Sequence, residues 1–369
     1  MNTRDTVVES IDVSILQIPS RIQIATAIGK YDGIRLVVVR AHTKSGPVGM
    51  GWTNILGTGN AAEAVRAFIE GMYVPVVVGR DAHDVRALWN DLYRRSASIG
   101  RKGVAMYALA AIDIALWDVV TQTAGRALHR YFGAVHDSAV VYGAGYWMSE
   151  SIDELQHDAQ AHVDMGLAGV KLKIGGPIRM QEDLARVDAV RDVVGESAQV
   201  LVDANQAYDP LSAERMAREL ADRGVAWFEE PLVADSVSDY ARLAARSPIP
   251  IACGENEYSR FGFRDLIEQR AVHILQPDVH RVGGITEFMR IVALSDTFNL
   301  PLSPHTSMEL QSQLVVTANN ASMMEYYDWF EPGFFTEEFD VSGGRIVPSQ
   351  RPGVGARIAD EALHEFSVS

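Results

Sequence analysis

Ionisable side chains stand at the ends of short apolar segments in the second part of the chain. They interrupt or directly follow seven such segments, and they are Lys171 and Lys173, Asp203, Glu229, Glu255, Asp278, His305 and Glu325. A single carboxylate or histidine in such a place is usually a helix cap or a solvated charge. Seven at matching positions favour another explanation, in which the segments are strands whose carboxyl ends meet at one pocket.

Three of these carboxylates have a spacing that predicts a metal site. Asp203, Glu229 and Glu255 follow one another at intervals of 26 residues, at the ends of three consecutive segments. Without a cation, three adjacent carboxylates would repel and raise one another's pKa. A hard divalent cation removes that repulsion, and a ligand set made only of oxygen favours Mg²⁺ over zinc. We therefore predict a Mg²⁺ site.

The other charged groups could move protons. Lys171 and Lys173 are one residue apart, so in a strand they point to the same face. A like-charged neighbour and partial burial would each lower the pKa of Lys173 and make it a general base. Asp278 and His305 follow adjacent segments, and a carboxylate bonded to one imidazole nitrogen supports the protonated ring. This pair predicts a second acid–base group.

The segments that carry these residues recur with the period of a βα unit. Eight apolar runs alternate with helical stretches, at residues 140–145, 169–174, 200–204, 226–229, 250–254, 273–276, 300–303 and 322–325. Eight consecutive units of this kind predict a parallel (β/α)₈-like barrel.

The first third of the chain has a different pattern. Strand-like runs at 7–18, 34–41 and 46–52 precede helical patterns at 61–72, 82–95 and 104–123. Strands followed by helices predict an antiparallel sheet with helices on one face. Residues 339–347 predict a hairpin with a Gly-Gly turn, and the tail after it is expected to pack on this first domain.

Composition excludes several other classes of protein. The formal net charge of −15 argues against a nucleic-acid or anionic-membrane surface. The single cysteine, Cys253, excludes an internal disulfide and a cysteine-based zinc site. The polar start lacks the apolar core of a secretion signal, and no uncharged apolar stretch reaches the roughly 18 residues that span a membrane. We expect a cytoplasmic protein that binds neither nucleic acid nor membrane.

Taken together, the motifs resemble the enolase superfamily and, within it, the mandelate racemase subgroup. The resemblance covers nearly the whole chain and is carried by Ala111-Ile112-Asp113-Ile114-Ala115-Leu116-Trp117-Asp118, Lys171-Leu172-Lys173, Val202-Asp203-Ala204-Asn205-Gln206, Phe228-Glu229-Glu230-Pro231, Gly254-Glu255-Asn256, Gln276-Pro277-Asp278, Val282-Gly283-Gly284 and Ser303-Pro304-His305. A muconate-cycloisomerase-like relative would be expected to carry a lysine on the sixth strand, where this chain has Asp278.

The resemblance implies an α/β fold, a modified TIM barrel of (β/α)₇β type under an α+β N-terminal capping domain. The cap would span residues 1–135, completed by about 336–369, and the catalytic barrel residues 136–335. It also implies Asp203, Glu229 and Glu255 as Mg²⁺ ligands, with Lys173 opposed to the Asp278–His305 pair. We expect a small-molecule carboxylate as the partner, and a homo-oligomer.

These groups predict an enzyme that removes the proton next to a substrate carboxylate. Mg²⁺ and Lys171 would stabilise the resulting enediolate. Glu325 would hydrogen-bond a carboxylate oxygen if it is protonated; alternatively, it pairs with a cation. Strand alternation would place Asn205 on the face of Asp203, where it would contact the α-substituent; alternatively, it caps a helix.

Two reactions are open to an enediolate. A β-hydroxyl near an acid such as His305 would leave as water, whereas reprotonation by His305 on the opposite face would give racemisation or epimerisation. Residues 278–286 and 325–332 look most like acid-sugar dehydratases of the talarate/galactarate type, which favours dehydration. The loop at 21–30 has few cations, which argues against a highly charged diacid, and its apolar residues would suit a less polar substrate such as a hydroxyproline or a betaine. The alternative is therefore a racemase or epimerase acting on a 2-hydroxy acid or a proline or betaine derivative.

A third alternative is a non-catalytic barrel used as a binding protein. Its signature would be the loss of a ligand or a base, and none is missing. The barrel loops are short, so we expect the first domain to close the mouth with residues 20–30 and 52–59. Gly51, Gly57 and Gly59 could give this second segment its mobility.

Overall fold

The N-terminal part forms an antiparallel sheet. The computed structural model describes residues 5–56 and 59–368, and the strands β1 (Val8–Thr26), β2 (Gly29–Thr43) and β3 (Gly49–Ile55) form this sheet in chain order. Residues 21–30, expected to be a loop, are mostly strand, because β1 and β2 continue as one hairpin to the pair Thr26–Gly29. The end of this hairpin is therefore held by cross-strand pairing.

Five helices follow the sheet in the described part of the cap. They are α1 (Ala61–Phe68), continued by a π-helical turn at Ile69–Tyr73, α2 (Val74–Val77), α3 (Val85–Ser96), α4 (Val104–Thr123) and α5 (Leu128–Phe132). Helix α4 packs directly on β3, where a Cβ on Gly51 would lie 2.2 Å from the carbonyl oxygen of Ala111. By length and composition α4 could cross a membrane, but 89% of its most apolar window is buried inside the fold.

The barrel strands follow the predicted apolar runs closely. They are β4 (Ala139–Gly143), β5 (Gly169–Lys173), β6 (Gln199–Asp203), β7 (Val225–Glu229), β8 (Ile251–Cys253), β9 (Ile274–Leu275) and β10 (Met323–Tyr326). Neighbours from β4 to β9 pair in parallel, and β10 pairs in parallel with β4. The seventh run is reduced to Leu302, which bridges Leu275 and Ala321. The ring therefore closes with eight positions, as predicted.

Helices cover the outside of the ring. They are α6 (Ile152–Asp164), α7 (Met180–Val194), α8 (Pro210–Ala221), α9 (Val237–Ala244), α10 (Ser259–Glu268), α11 (Ile285–Thr297) and α12 (Met308–Val315). Capping residues fix several of their starts: Ser151 forms a capping box with Glu154, and Asp209 accepts hydrogen bonds from the first turn of α8. By fixing where a helix begins, each cap also fixes where the loop at the mouth of the barrel ends.

The C-terminal segment returns to both parts of the molecule. β11 (Val341–Ser342) and β12 (Arg345–Ile346) form the predicted hairpin around Gly343 and Gly344, both at positive φ, and β12 pairs with β4. After α13 (Asp360–Glu365), β13 (Ser367–Val368) pairs with β1. The tail thus packs on the first domain, as expected.

A buried network joins the cap to the barrel. Asp113 of α4 accepts hydrogen bonds from the backbone N–H of Thr286 at 2.8 Å and from its hydroxyl at 2.6 Å, in the first turn of α11. Trp117 Nε1 donates to the same hydroxyl at 2.8 Å. A carboxylate at a helix N-terminus satisfies free N–H groups, so this contact fixes α4 against the barrel.

Candidate active site

The strand ends bring every predicted site residue into one buried region. None is more than 7% exposed, and they are Lys171, Lys173, Asp203, Asn205, Glu229, Glu255, Asp278, His305 and Glu325. Parallel pairing of β5, β6 and β7 sets Lys173 beside Asp203, and Asp203 beside Glu229. The register of the barrel therefore assembles the cluster.

The three predicted metal ligands converge. One carboxylate oxygen from each of Asp203, Glu229 and Glu255 lies within 4.8 Å of the others. Burial raises the pKa of Glu229 to about 7, and the neighbouring Asp203 carboxylate adds to this effect. Oε2 of Glu255 is buried and accepts no hydrogen bond from the described residues. Close, buried, oxygen-only donors of this kind fit Mg²⁺.

Two uncharged donors orient Glu229. Its Oε2 accepts hydrogen bonds from Trp227 Nε1 at 3.2 Å and from Gln276 Nε2 at 2.6 Å. Its Oε1 lies 2.6 Å from Nζ of Lys171. The role of Trp227 was not evident from the sequence, although strand alternation points its side chain to the same face as that of Glu229. Held from both oxygens, the Glu229 carboxylate has a fixed orientation.

Glu325 forms an ion pair and is not placed as a neutral donor. Its Oε1 contacts Nζ of Lys171, and its Oε2 accepts the backbone N–H of Thr306 at 2.6 Å. Burial alone would raise the pKa of Glu325, but Lys171 and His305 bring it below its ordinary value. The structure therefore favours the cation-paired alternative over a protonated Glu325.

Burial and Lys171 act on the pKa of Lys173 as predicted, but a neighbouring carboxylate outweighs them. Burial lowers the pKa, but the Lys173 ammonium contacts Asp203 Oδ2, and this carboxylate raises the pKa above its ordinary value. The like charge of Lys171 also lowers it, but only as a smaller effect. Only Lys171 could be recognised from the sequence as a charged neighbour of Lys173. The parallel register of β5 and β6 then places Asp203 directly beside it.

Asn205 does not cap a helix. The N-cap of α8 is Asp209, and Asn205 lies in the preceding loop with a left-handed φ of 39°. Its backbone N–H donates to Asp203 Oδ1 at 2.8 Å and its Nδ2 to Asp203 Oδ2 at 3.1 Å. Its Oδ1 is buried without a hydrogen-bond donor among the described residues. A loop turn, not strand alternation, places it beside Asp203.

Asp278 and His305 form the expected pair. His305 Nδ1 lies 2.9 Å from Asp278 Oδ2, and Nε2 lies 3.3 Å from Glu255 Oε2. Burial alone lowers the pKa of His305, but the facing carboxylates outweigh it, Glu255 first, and raise the pKa above its ordinary value. For Asp278, burial alone would raise the pKa, but His305 and Arg281 lower it to about 2. An anionic carboxylate thus faces an imidazole that favours its protonated form.

Arg281 links these groups, a role that the sequence did not reveal. One guanidinium nitrogen lies 3.0 Å from Glu255 Oε1 and 3.1 Å from Asn256 Oδ1. Another lies 3.6 Å from Asp278 Oδ2. Asn256 in turn donates through Nδ2 to both oxygens of buried Glu230, at 2.9 and 2.8 Å. The spacing of three residues from Asp278 was the only signal for Arg281.

Both parts of the molecule line the catalytic cavity. Barrel residues, including Lys173 and His305, form its floor, and cap residues form its roof: Thr26, Ile28, Ile34, Asn54 and Leu56. Both predicted cap segments therefore reach the site, although Gly57 lies outside the described residues. Asn54 Nδ2 also donates to Ser307 Oγ at 3.2 Å, which ties the roof to the floor.

An aromatic wall separates this cavity from a larger one. Trp147 stacks on Tyr327 with centroids 6.1 Å apart, and Tyr327 stacks on Trp329 at 4.3 Å. The neighbouring cavity, of about 560 Å³, shares these three residues but none of the nine predicted site residues. We assign the chemistry to the smaller cavity because the acid–base groups line it.

Comparison with known families places the chain clearly. Residues 10–133 match the family model described as the mandelate racemase/muconate lactonizing enzyme N-terminal domain. Residues 154–362 match the model described as enolase C-terminal domain-like. Together these matches cover most of the chain and both parts of the fold.

Individual relatives agree with these matches. The chain is 32% identical to arabinonate dehydratase of Saccharolobus solfataricus, over 90% of this chain and 91% of that protein. It superimposes on a racemase from Streptomyces coelicolor with bound magnesium at a TM-score of 0.94, with 28% identity over 98% of this chain and all of that one. For L-talarate dehydratase from Polaromonas sp., complexed with Mg and L-glucarate, the TM-score is 0.90, with 32% identity over 98% of both chains.

These comparisons confirm the predicted family, fold class and cofactor. The capping domain, the barrel and the convergent carboxylates occur together in the one structure. The chain belongs to the mandelate racemase/muconate lactonizing enzyme family of the enolase superfamily, and it is a Mg²⁺-dependent enzyme.

Proposed function

We propose that this enzyme removes the α-proton of an acid sugar and then expels a β-hydroxyl as water. The observation that carries the proposal is a set of buried polar atoms lining the cavity of Lys173 and His305. Asn54 Oδ1, Asn205 Oδ1 and Thr306 Oγ1 have no hydrogen-bond partner among the described residues. Such atoms are costly unless a ligand satisfies them, and a polyhydroxylated substrate offers a hydroxyl for each.

The residues divide the chemistry between them. Lys173, once neutral, takes the α-proton, and the electron pair of that C–H bond moves into the carboxyl group as the enediolate forms. Mg²⁺ held by Asp203, Glu229 and Glu255 would supply a Lewis acid for the developing negative charge, and it would weaken the ion pair by which Asp203 keeps Lys173 protonated. Lys171, fixed between Glu229 and Glu325, adds a positive charge on that side.

The second step uses the other base in its acidic form. As the electron pair returns, the bond to the β-hydroxyl breaks, and the leaving oxygen takes a proton from His305. The enol that remains tautomerises to a 2-keto acid. The raised pKa of His305 supports this role, because its imidazole holds a proton to higher pH.

The relatives support the same class of substrate. One is named as a dehydratase of arabinonate, and another, a talarate dehydratase, was crystallised with L-glucarate. The test is a screen of acid sugars with Mg²⁺, in which NMR follows α-proton exchange in D₂O and keto-acid formation. Keto acid from at least one acid sugar is expected; exchange without net product would refute dehydration.

Racemisation or epimerisation is the second candidate. A specific observation favours it: a solved structure with a TM-score of 0.94 is described as a racemase. Lys173 and His305 lie three positions apart around the ring of eight, so two bases are available to one α-carbon. The same screen separates the reactions, because an epimerase would interconvert the two α-configurations without forming keto acid.

We also propose a cytoplasmic homo-oligomer that binds neither nucleic acid nor membranes. The formal net charge of −15 supports the absence of a polyanionic partner. Light scattering of the purified protein would test the assembly, and a mass of 40.4 kDa would refute it.

A further inference from the structure

The floor and the roof of the catalytic cavity differ in charge. Glu255 and both bases line the floor, and the Asp203 and Glu229 carboxylates lie within 4.8 Å of Glu255, so the substrate carboxylate and α-carbon bind at this end. The far end of the substrate then faces the roof, where the described lining residues are all uncharged: Thr26, Ile28, Ile34, Asn54 and Leu56. The aromatic wall of Trp147 and Trp329 adds further apolar surface.

Every described cation that lines the cavity already faces an acid. Lys173 contacts Asp203, and His305 lies 2.9 Å from Asp278. Arg281 lies 3.0 Å from Glu255. All three cations are on the floor, and none is directed to the roof without a partner.

This arrangement disfavours a second carboxylate on the substrate. Such a group would lose its hydration against the roof without gaining a cation, and burial of an unpaired charge is costly. A terminal alcohol loses far less and can bond with Asn54 or Thr26. An uncharged chain end also packs well against isoleucine, leucine and tryptophan side chains.

We infer that the enzyme selects monocarboxylic acid sugars over dicarboxylic ones, an inference that rests on the proposed function. Ile28 determines this selection most directly. It lines the cavity from the turn between β1 and β2, yet its side chain is 61% exposed, so a cation there would be tolerated. Ile22 lies on the same hairpin, is 45% exposed and lines the neighbouring cavity. It provides a matched control.

The experiment compares acids that differ only at the last carbon. D-gluconate with D-glucarate, and D-galactonate with galactarate, are assayed with Mg²⁺ for kcat/KM by keto-acid formation and for affinity by tryptophan fluorescence. We expect the monoacid of at least one pair to exceed its diacid by about tenfold or more in kcat/KM. Ile28→Arg should reduce that ratio by about tenfold, while Ile22→Arg should leave it unchanged.

The outcomes separate this inference from the proposed function. A diacid that binds and reacts as well as its monoacid overturns the inference but leaves dehydration standing. The same holds if Ile28→Arg and Ile22→Arg change the ratio equally, because a general charge effect would then explain both. If neither member of any pair binds or reacts, the inference fails, and the proposed function fails with it only if the wider screen of acid sugars also yields no keto acid.

Discussion

Nδ1 of His305 lies 2.9 Å from Oδ2 of Asp278. The other oxygen of this carboxylate, Oδ1, accepts a hydrogen bond from the backbone N–H of His280 at 2.8 Å. The carboxylate is therefore held from both sides and fixes the orientation of the imidazole. Because it remains anionic, with a pKa of about 2, it also supports the protonated ring.

Asp278→Asn should slow the reaction and change its pH dependence. Loss of the negative charge removes one of the groups that raise the pKa of His305. The acid form would then be lost at lower pH, so the fall in kcat on the alkaline side should move to lower pH. We expect kcat to drop about 10²- to 10⁴-fold, as is typical for a disabled acid–base group. An unchanged pH profile would contradict this role.

The two bases should be separable by proton exchange. Lys173→Ala is expected to abolish α-proton exchange for one α-configuration, because each base approaches one side of the carbon. His305→Asn should retain that exchange and block the second step, so that product is lost. NMR in D₂O with both α-epimers provides the measurement. Equal loss of exchange with both epimers in both variants would indicate a single shared base.

Glu229→Gln should lower metal affinity and activity together. The substitution removes one negative charge from three convergent carboxylates, so the attraction for Mg²⁺ falls. Titration calorimetry with Mg²⁺ gives the affinity, and kcat/KM gives the activity. Glu182→Gln, on the outer helix α7, is the control and should alter neither. Unchanged Mg²⁺ binding by Glu229→Gln would exclude this residue as a ligand.

Asn205→Ala should affect the substrate more than the fold. Asn205 Oδ1 has no hydrogen-bond partner among the described residues. Removing this oxygen therefore breaks no hydrogen bond within the protein. A lost hydrogen bond to substrate would cost about 1 kcal/mol, or roughly fivefold in kcat/KM. The melting temperature should change little, as in the surface control Asn319→Ala. A large loss of stability with normal kinetics would mean that Asn205 only orients Asp203.

Asp113 should make stability depend on pH. Burial raises its pKa from 3.8 to about 7, so the folded state favours the protonated form. Stability from this group is full below about pH 4 and is lost as pH rises through 7. Melting temperatures of the wild type and Asp113→Asn, measured from pH 4 to 8, should therefore converge or cross with rising pH. A constant difference would contradict the shift.

Local pattern was enough to predict much of the fold. The eight apolar runs match the seven barrel strands and the bridge at Leu302, because parallel strands buried on both faces must be continuously apolar. The hairpin at Gly343 and Gly344 was also predictable, because two adjacent glycines permit the tight turn. The domain boundary near residue 135 stays a prediction.

The sequence could not reveal what depends on pairing between distant elements. Extension of β1 and β2 into one hairpin needed cross-strand partners that no local pattern shows. The roles of Arg281 and Trp227 emerged only when the barrel brought them to Glu255 and Glu229. The sequence shows how far Arg281 lies from Asp278 and Trp227 from Glu229, but it does not show which side chains they bond.

The sequence by itself determined which chemical groups this protein brings to its site, because strand ends in a parallel barrel must face one mouth. Tertiary structure alone decided which charges face one another. Asp203 lies against Lys173 and raises its pKa, and Lys171 lies against Glu325 and lowers its pKa. Electrostatic effects depend on distances of a few ångströms between buried groups, and only the assembled barrel sets those distances.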